Sequence, residues 1–293
     1  MAMFGFLCVN KPAGPTSHDV VARVRRRLGR GTKVGHAGTL DPFAEGVLVL
    51  CVGAATRLAG YVQAQTKRYR AVVRLGATSS TDDPEGEITP TPNAPTPDEP
   101  AVREAVRQFV GTIRQVPPSH SAVHVEGRRA YKLARAGRAI ELPPRTVVVH
   151  SIDVLGWDYP RLEIDVRCGS GTYIRALARD VGEAVGTGGY CEALTRTAVG
   201  AFGLERAASL EAIDADPAGH LLSPLLAVEH LPKVTVSPEQ MADLRHGRRV
   251  DFNEHARPGD VAMLDTQGRL VALGAIATNA KSLRPTKVFV TRP

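Results

Sequence analysis

An α+β chain in two parts is predicted by three features of the sequence. Short apolar or alternating runs such as 46–52 (GVLVLCV) and 67–75 (KRYRAVVRL) recur as far as residue 202 and outnumber the amphipathic segments. Around Leu231-Pro232 the pattern changes to short strand-like runs separated by Gly and charge clusters, the spacing of a small β domain. With 293 residues and 43% hydrophobic content, the chain exceeds one average domain and can bury a real core. The expected division is 1–231, with an inserted arm at about 114–142, and 232–293.

In order along the chain, residues 4–9 read as a buried strand that stops at Lys11-Pro12-Ala13-Gly14-Pro15. Thr16 or Ser17 then caps a helix with Val20, Val21, Val24 and Leu28 on one face. Arg23, Arg26, Arg27 and Arg30 take the other face, and Lys33 follows, which suits a phosphate-facing surface. Next comes 35–46, GHAGTLDPFAEG, about which the chain is organised. In Asp41-Pro42 the proline ring drives Asp41 out of the α region and removes a backbone donor, so one acid is presented on a stiff, extended turn. A lone Asp-Pro is commonly a plain turn; only the rest of the chain gives it a further meaning.

The run 46–52 reads as a strand buried on both faces. In 67–75, Tyr69, Ala71, Val73 and Leu75 alternate with Arg68, Arg70, Val72 and Arg74, a half-buried strand with a basic outer face. Residues 77–100, rich in Thr, Pro, Asp and Glu, predict a long mobile surface loop, and 101–110 a short amphipathic helix. In 114–142 the cations Arg128, Arg129, Lys132, Arg135 and Arg138 fall three and four apart around Tyr131, predicting a basic helix on an arm entered through Pro117-Pro118. Strands at 147–155 and 162–168 lead through Gly169-Ser170-Gly171-Thr172-Tyr173-Ile174-Arg175 into a helix past Arg179, and 190–202 returns as a strand carrying Leu194 and Arg196. Further strands are expected at 250–252, 261–264, 270–276 and 287–290.

Charge and cysteine usage narrow the function. Lys and Arg number 37 against 30 Asp and Glu, a net +7 that favours a polyanionic partner such as nucleic acid. Cys8, Cys51, Cys168 and Cys191 form no Cys-x-x-Cys pair and read as buried thiols of a reducing cytoplasm. The N-terminus has no basic n-region, and the longest apolar run, 47–55, is far shorter than the roughly 20 residues of a membrane helix. A soluble cytoplasmic protein is expected. No glycine-rich loop of the Walker or Rossmann type occurs, which argues against ATP or NAD.

Six motifs, in order, carry a family resemblance: NKPAGPTSHD, VGHAGTLDPFAEGVLVLCVGAATRL, KRYRA, VPPSHSA with GRRAYKLAR, SGTYIRALARDVG, and ALTR. Together they span about residues 4–202, and the chain resembles the bacterial tRNA pseudouridine synthases of the TruB type, which isomerise uridine 55 in the TΨC loop of transfer RNA. The resemblance implies a pseudouridine synthase fold, a mixed, mainly antiparallel central sheet flanked by helices and loops, followed by a PUA-like RNA-binding domain. It implies Asp41 as the catalytic carboxylate, Tyr69 against the flipped base, Tyr173 and Arg175 completing the pocket, Leu194 as an apolar wall and His36 meeting the RNA loop. Lys11 of the opening motif, and Arg129 and Lys132 of the basic arm, are further expected substrate contacts.

The implied chemistry breaks the N1–C1′ bond, turns the uracil and rejoins it through C5. A carboxylate that adds covalently to base or sugar divides that step in two, and Arg175 is expected to hold it ionised with a low pKa. The isomerisation is redox-neutral and implies no metal and no cofactor. The expected partner is the tRNA T-arm, bound by a monomer with no obligate protein partner and no membrane association. Two rival readings are a non-catalytic tRNA chaperone and a glycosidic hydrolase. The latter generally uses two carboxylates, and Glu45 is the only acid near Asp41 in sequence.

Overall fold

In the computed structural model the described residues are 3–121, 124–125, 128–129, 142–251, 258–276 and 282–290. A ten-stranded sheet runs in the order Ala208–Ser209, Gly5–Lys11, Glu45–Val52, Gly189–Val199, Lys67–Leu75, Arg161–Cys168, Arg145–Asp158, Gly111–Gln115. Val34–His36 and Phe202–Gly203 add on beside the third and fourth of these. Two pairings are parallel, Gly5–Lys11 with Ala208–Ser209 and Glu45–Val52 with Gly189–Val199. The remaining neighbours are antiparallel, so the sheet is mixed and mainly antiparallel, as the sequence resemblance implies.

The strand Lys67–Leu75 shows why. Its alternation buries Lys67, Ala71, Val73 and Leu75 and exposes Arg68 and Arg70, a period of two that suits one covered and one open face. Helices Ser17–Leu28, Glu99–Arg107 and Ile174–Ala184 cover that face, with Val20, Val102 and Leu177 meeting Val73 and Ile164 in one core. The first helix is fixed by a reciprocal cap: the Thr16 hydroxyl accepts from Asp19 N at 3.1 Å, and Asp19 Oδ2 accepts from Thr16 N at 3.0 Å. Such a cap stabilises a helix by about 1 kcal/mol.

The expected long loop at 77–100 is more ordered than its composition suggests. Ala77–Ser79 pairs with Ile88–Pro90, and the helix Glu99–Arg107 starts at the Asp98 cap. On the basic arm, His124–Val125 pairs antiparallel with Arg128–Arg129, so the expected helix does not include Arg128 and Arg129. Tyr131, Lys132, Arg135 and Arg138 lie outside the described residues.

A second sheet, in the order Lys233–Thr235, Gly259–Leu264, Leu270–Ile276, Ser282–Val288, Val250–Asp251, has its own core around Val236, Leu244 and Met263. Its other face joins the first sheet: Ala262, Leu270 and Leu273 share an apolar cluster with Phe6, Val49 and Phe202. The Phe4 and Phe289 rings stack at 5.0 Å, and Arg57 Nη1 donates to the Val288 carbonyl at 2.6 Å. Among the described residues, no helix is long and apolar enough to cross a membrane.

Candidate active site

The turn that carries Asp41 is pinned at nearly every carbonyl. Arg196 donates to Gly38 O at 3.3 Å and Thr39 O at 3.0 Å, and its Nε to Val47 O at 2.7 Å. Ser17 satisfies both backbone groups of Leu40, donating to its oxygen at 2.9 Å and accepting from its nitrogen at 2.8 Å. Lys11 Nζ donates to Pro42 O at 3.1 Å, Pro12 O at 2.8 Å and Pro15 O at 3.0 Å. Lys11, expected as a substrate contact, is therefore a correction: it is 0% exposed and all three of its protons are spent on carbonyls beneath the turn. Burial lowers its pKa, with the Asp41 and Glu45 charges opposing. Gly46 completes the support, because at φ 97° a Cβ there would collide with the Arg196 carbonyl.

Arg175 sits in the first turn of the helix Ile174–Ala184 and is 4% exposed. Its Nε lies 2.9 Å from Asp41 Oδ2, while Nη1 donates to Asp83 Oδ2 at 2.8 Å and Thr81 O at 2.9 Å. Nη2 donates to His120 O at 3.0 Å. The Nε contact is an ion pair without hydrogen-bond alignment. One guanidinium thus bridges two carboxylates. Asp83 is the nearly buried partner, its side chain 4% exposed, and Asp41 the one open to the cleft, at 33%.

Burial reverses the expected electrostatics of Asp41. Burial raises its carboxyl above the ordinary value, Arg175 and Arg196 pull it down, and the Asp83 charge pushes it further up. The expectation of a carboxyl held low by Arg175 counted the cation and missed the burial, to which the second acid adds.

A cleft of about 700 Å³ opens over Asp41. Tyr69 and Arg196 are directly paired across neighbouring strands, as are Ala71 and Leu194, so Tyr69, Leu194 and Arg196 project from the same face toward the turn. Tyr173 also lines the cleft, with its backbone N–H donating to Gln115 Oε1 at 2.8 Å and its carbonyl accepting from Gln115 Nε2 at 3.0 Å. Burial raises the Tyr69 phenol above its ordinary value, opposed by Arg196.

Of the residues singled out in the sequence, Asp41, Tyr69, Tyr173, Arg175 and Leu194 line one cleft. His36 ends the strand Val34–His36, paired with Leu50, and is not among the lining residues. Arg129 contributes its backbone to the short hairpin of the arm, and Lys132 lies outside the described residues. Glu45 is exposed at the head of its strand and outside the lining; the acids beside Asp41 in the cleft are Asp83 and Glu85. Sequence reasoning also left out Lys67, which burial pulls down to about 8 and which donates to the Gln65 carbonyl at 2.7 Å. The signal for Lys67 was available in the KRY run, where a lysine occupies an inward position.

A family model described as TruB family pseudouridylate synthase (N terminal domain) matches residues 25–174, and one described as tRNA Pseudouridine synthase II, C terminal, matches 231–290. The tRNA pseudouridine synthase B of Microcystis aeruginosa is 46% identical over 255 residues, 86% of each chain. That of Thermobifida fusca is 45% identical over 293 residues, 97% of this chain and 98% of its own. Among solved structures, an H/ACA RNP bound to a substrate RNA containing 2′-deoxyuridine superposes with a TM-score of 0.75 at 27% identity, covering 99% of this chain and 86% of the other. The protein described here belongs to the TruB family of pseudouridylate synthases.

Proposed function

We propose that this protein isomerises uridine 55 in the TΨC loop of tRNA to pseudouridine, with Asp41 as the nucleophile. The observation that carries the reading is the Arg175–Asp41 contact of 2.9 Å at the base of a cleft of about 700 Å³ walled by Tyr69 and Leu194. That volume lies within the usual range for sites that enclose a small ligand. The shared name of the relatives, tRNA pseudouridine synthase B, supports tRNA as the substrate.

The target uridine is flipped out of its loop, because its reacting atoms are unreachable in the stack. Tyr69 stacks on the base and Leu194 gives an apolar wall beside it. Asp41 adds to the base at C6 or to the ribose at C1′, the N1–C1′ bond breaks, the uracil turns, C5 joins C1′, and the bond to Asp41 breaks to return the free carboxylate. The proton leaves C5 through the Tyr173 hydroxyl and N1 ends protonated, so atoms and charge balance without a co-reactant. Pseudouridine mapping on an unmodified T-arm stem-loop tests the reading: product at the single target uridine is expected, and its absence overturns it.

Two further outcomes follow. Tyr69→Phe should keep stem-loop affinity within a few-fold, because the ring survives, while Tyr69→Ala should weaken it by about 1–3 kcal/mol, the scale of one base–aromatic stack. Equal losses in both, measured by direct titration, would remove stacking as the role of Tyr69. Asp83→Asn removes a negative charge that raises the Asp41 carboxyl. Activity needs the carboxylate, so it is present above the Asp41 pKa and lost as pH falls through it. The acid limb of the kcat/KM profile should therefore move to lower pH in the variant.

A further inference from the structure

We infer that Glu85 is a specificity-determining residue that accepts a hydrogen bond from the exocyclic amine of a nucleotide next to the flipped uridine. The inference rests on the reading above and names how that site tells its RNA from others. Glu85 is exposed and lines the same cleft as Asp41, and among the described residues its carboxylate has no hydrogen-bond or ion-pair partner. In a chain of net charge +7 that acts on a polyanion, an unpaired carboxylate at the cleft is a cost, since it repels every phosphate that approaches. A group that taxes all RNA alike is useful only if one RNA returns the loss. The donors an RNA offers to a carboxylate are ribose 2′-hydroxyls and base N–H groups; of these only the base groups tell one nucleotide from another, and an amine facing Glu is an established pairing.

The loop that presents Glu85 is held as part of the catalytic constellation. Asp83 Oδ1 accepts from the Glu85 backbone N–H at 3.0 Å and from the Thr81 hydroxyl at 2.5 Å, while its Oδ2 takes Arg175 Nη1 at 2.8 Å. Ser80 and Glu87 close the loop, with Ser80 N donating to Glu87 O at 3.0 Å and Glu87 N to Ser80 Oγ at 2.9 Å. A Cβ on Gly86 would run into the Ser79, Ser80 and Thr81 hydroxyls, which leaves this turn little freedom to swing Glu85 aside. The guanidinium that contacts the nucleophile therefore also fixes, through Asp83, the acid at the cleft wall. Correct placement of the neighbouring base and of the attacking oxygen are set by one rigid unit. Partial burial raises the Glu85 carboxyl, the Asp83 and Asp41 charges add to this, and Arg175 and Lys11 oppose it.

The experiment is a cycle between protein and RNA. T-arm stem-loops are made in which each amine-bearing base flanking the target is replaced in turn by its amine-free analogue: cytidine by uridine, adenosine by purine riboside, guanosine by inosine. For the wild-type protein one replacement should lower kcat/KM by about tenfold or more. With Glu85→Ala the same replacement should make no difference, and affinity for an unrelated RNA hairpin should rise by about two- to fivefold as the repulsion goes. Glu85→Gln, which keeps an acceptor oxygen without the charge, should retain a reduced preference at that same position. An identical preference in wild type and Glu85→Ala at every position overturns the inference. Failure of the wild-type protein to form pseudouridine in the parent stem-loop instead overturns the underlying reading.

Discussion

Asp41→Asn should lower pseudouridine formation by about 10⁴-fold or more, the scale on which removing a nucleophile acts, while tRNA affinity stays within a few-fold of wild type. The amide keeps the shape of the carboxyl, and the turn is held by Lys11, Ser17 and Arg196 through backbone carbonyls that the substitution does not touch. The variant therefore presents an intact cleft without an attacking oxygen. Stability gives a second readout of the same group. In the folded protein the Asp41 carboxyl is raised, so its charged form is disfavoured relative to the unfolded chain. The charge costs stability above the folded pKa, and that cost is relieved as pH falls through it. At pH 7 the variant should thus melt no lower than wild type, and the difference should narrow on acidification. A non-catalytic chaperone predicts unchanged activity in every assay, and single-turnover mapping beside a binding titration separates the two.

What the sequence disclosed and what it withheld follow one physical division. Strand and helix identity was legible wherever burial imposes a period, as in Lys67–Leu75 and in Ser17–Leu28 with its Thr16 cap. The meeting of Asp41 with Arg175, separated by over a hundred residues, came from the ordered motifs and not from any local pattern. Lys11 was misplaced because lysine normally seeks water, and only the fold shows three proline-region carbonyls converging on its ammonium. Asp83 lay in a stretch whose Thr, Asp and Glu content marks a solvated loop. Its burial depends on Arg175, which the sequence places 92 residues away. On the arm, Arg128 and Arg129 pair with His124–Val125 as a hairpin and so fall outside the expected helix, while the other cations of that spacing lie outside the described residues.

Arg175→Met should be the most disruptive single change to the site, because it strips the counter-charge from two acids at once. Asp83, 3% exposed, would be left with hydrogen bonds from Thr81 and Glu85 and no cation on its other oxygen. Removing one partner of a buried pair costs about 3–5 kcal/mol, far more than the pair itself contributes, because the remaining charge stays desolvated. Thr81 O and His120 O lose their donor as well, so the loop that carries Asp83 loosens. Arg175→Lys should recover only part of this: an ammonium is a single point of charge and cannot reach two carboxylates and two carbonyls from one plane. With its counter-charge gone, the already raised Asp41 carboxyl moves further up, so the deficit is greatest at neutral pH and shrinks as pH falls and that carboxyl takes up a proton. Pairing Arg175→Met with Asp83→Asn should restore much of the lost melting temperature, since the stranded charge is gone, but none of the activity. If the double variant is instead as unstable as the sum of the two single ones, the guanidinium's main role is packing and not the neutralisation of Asp83.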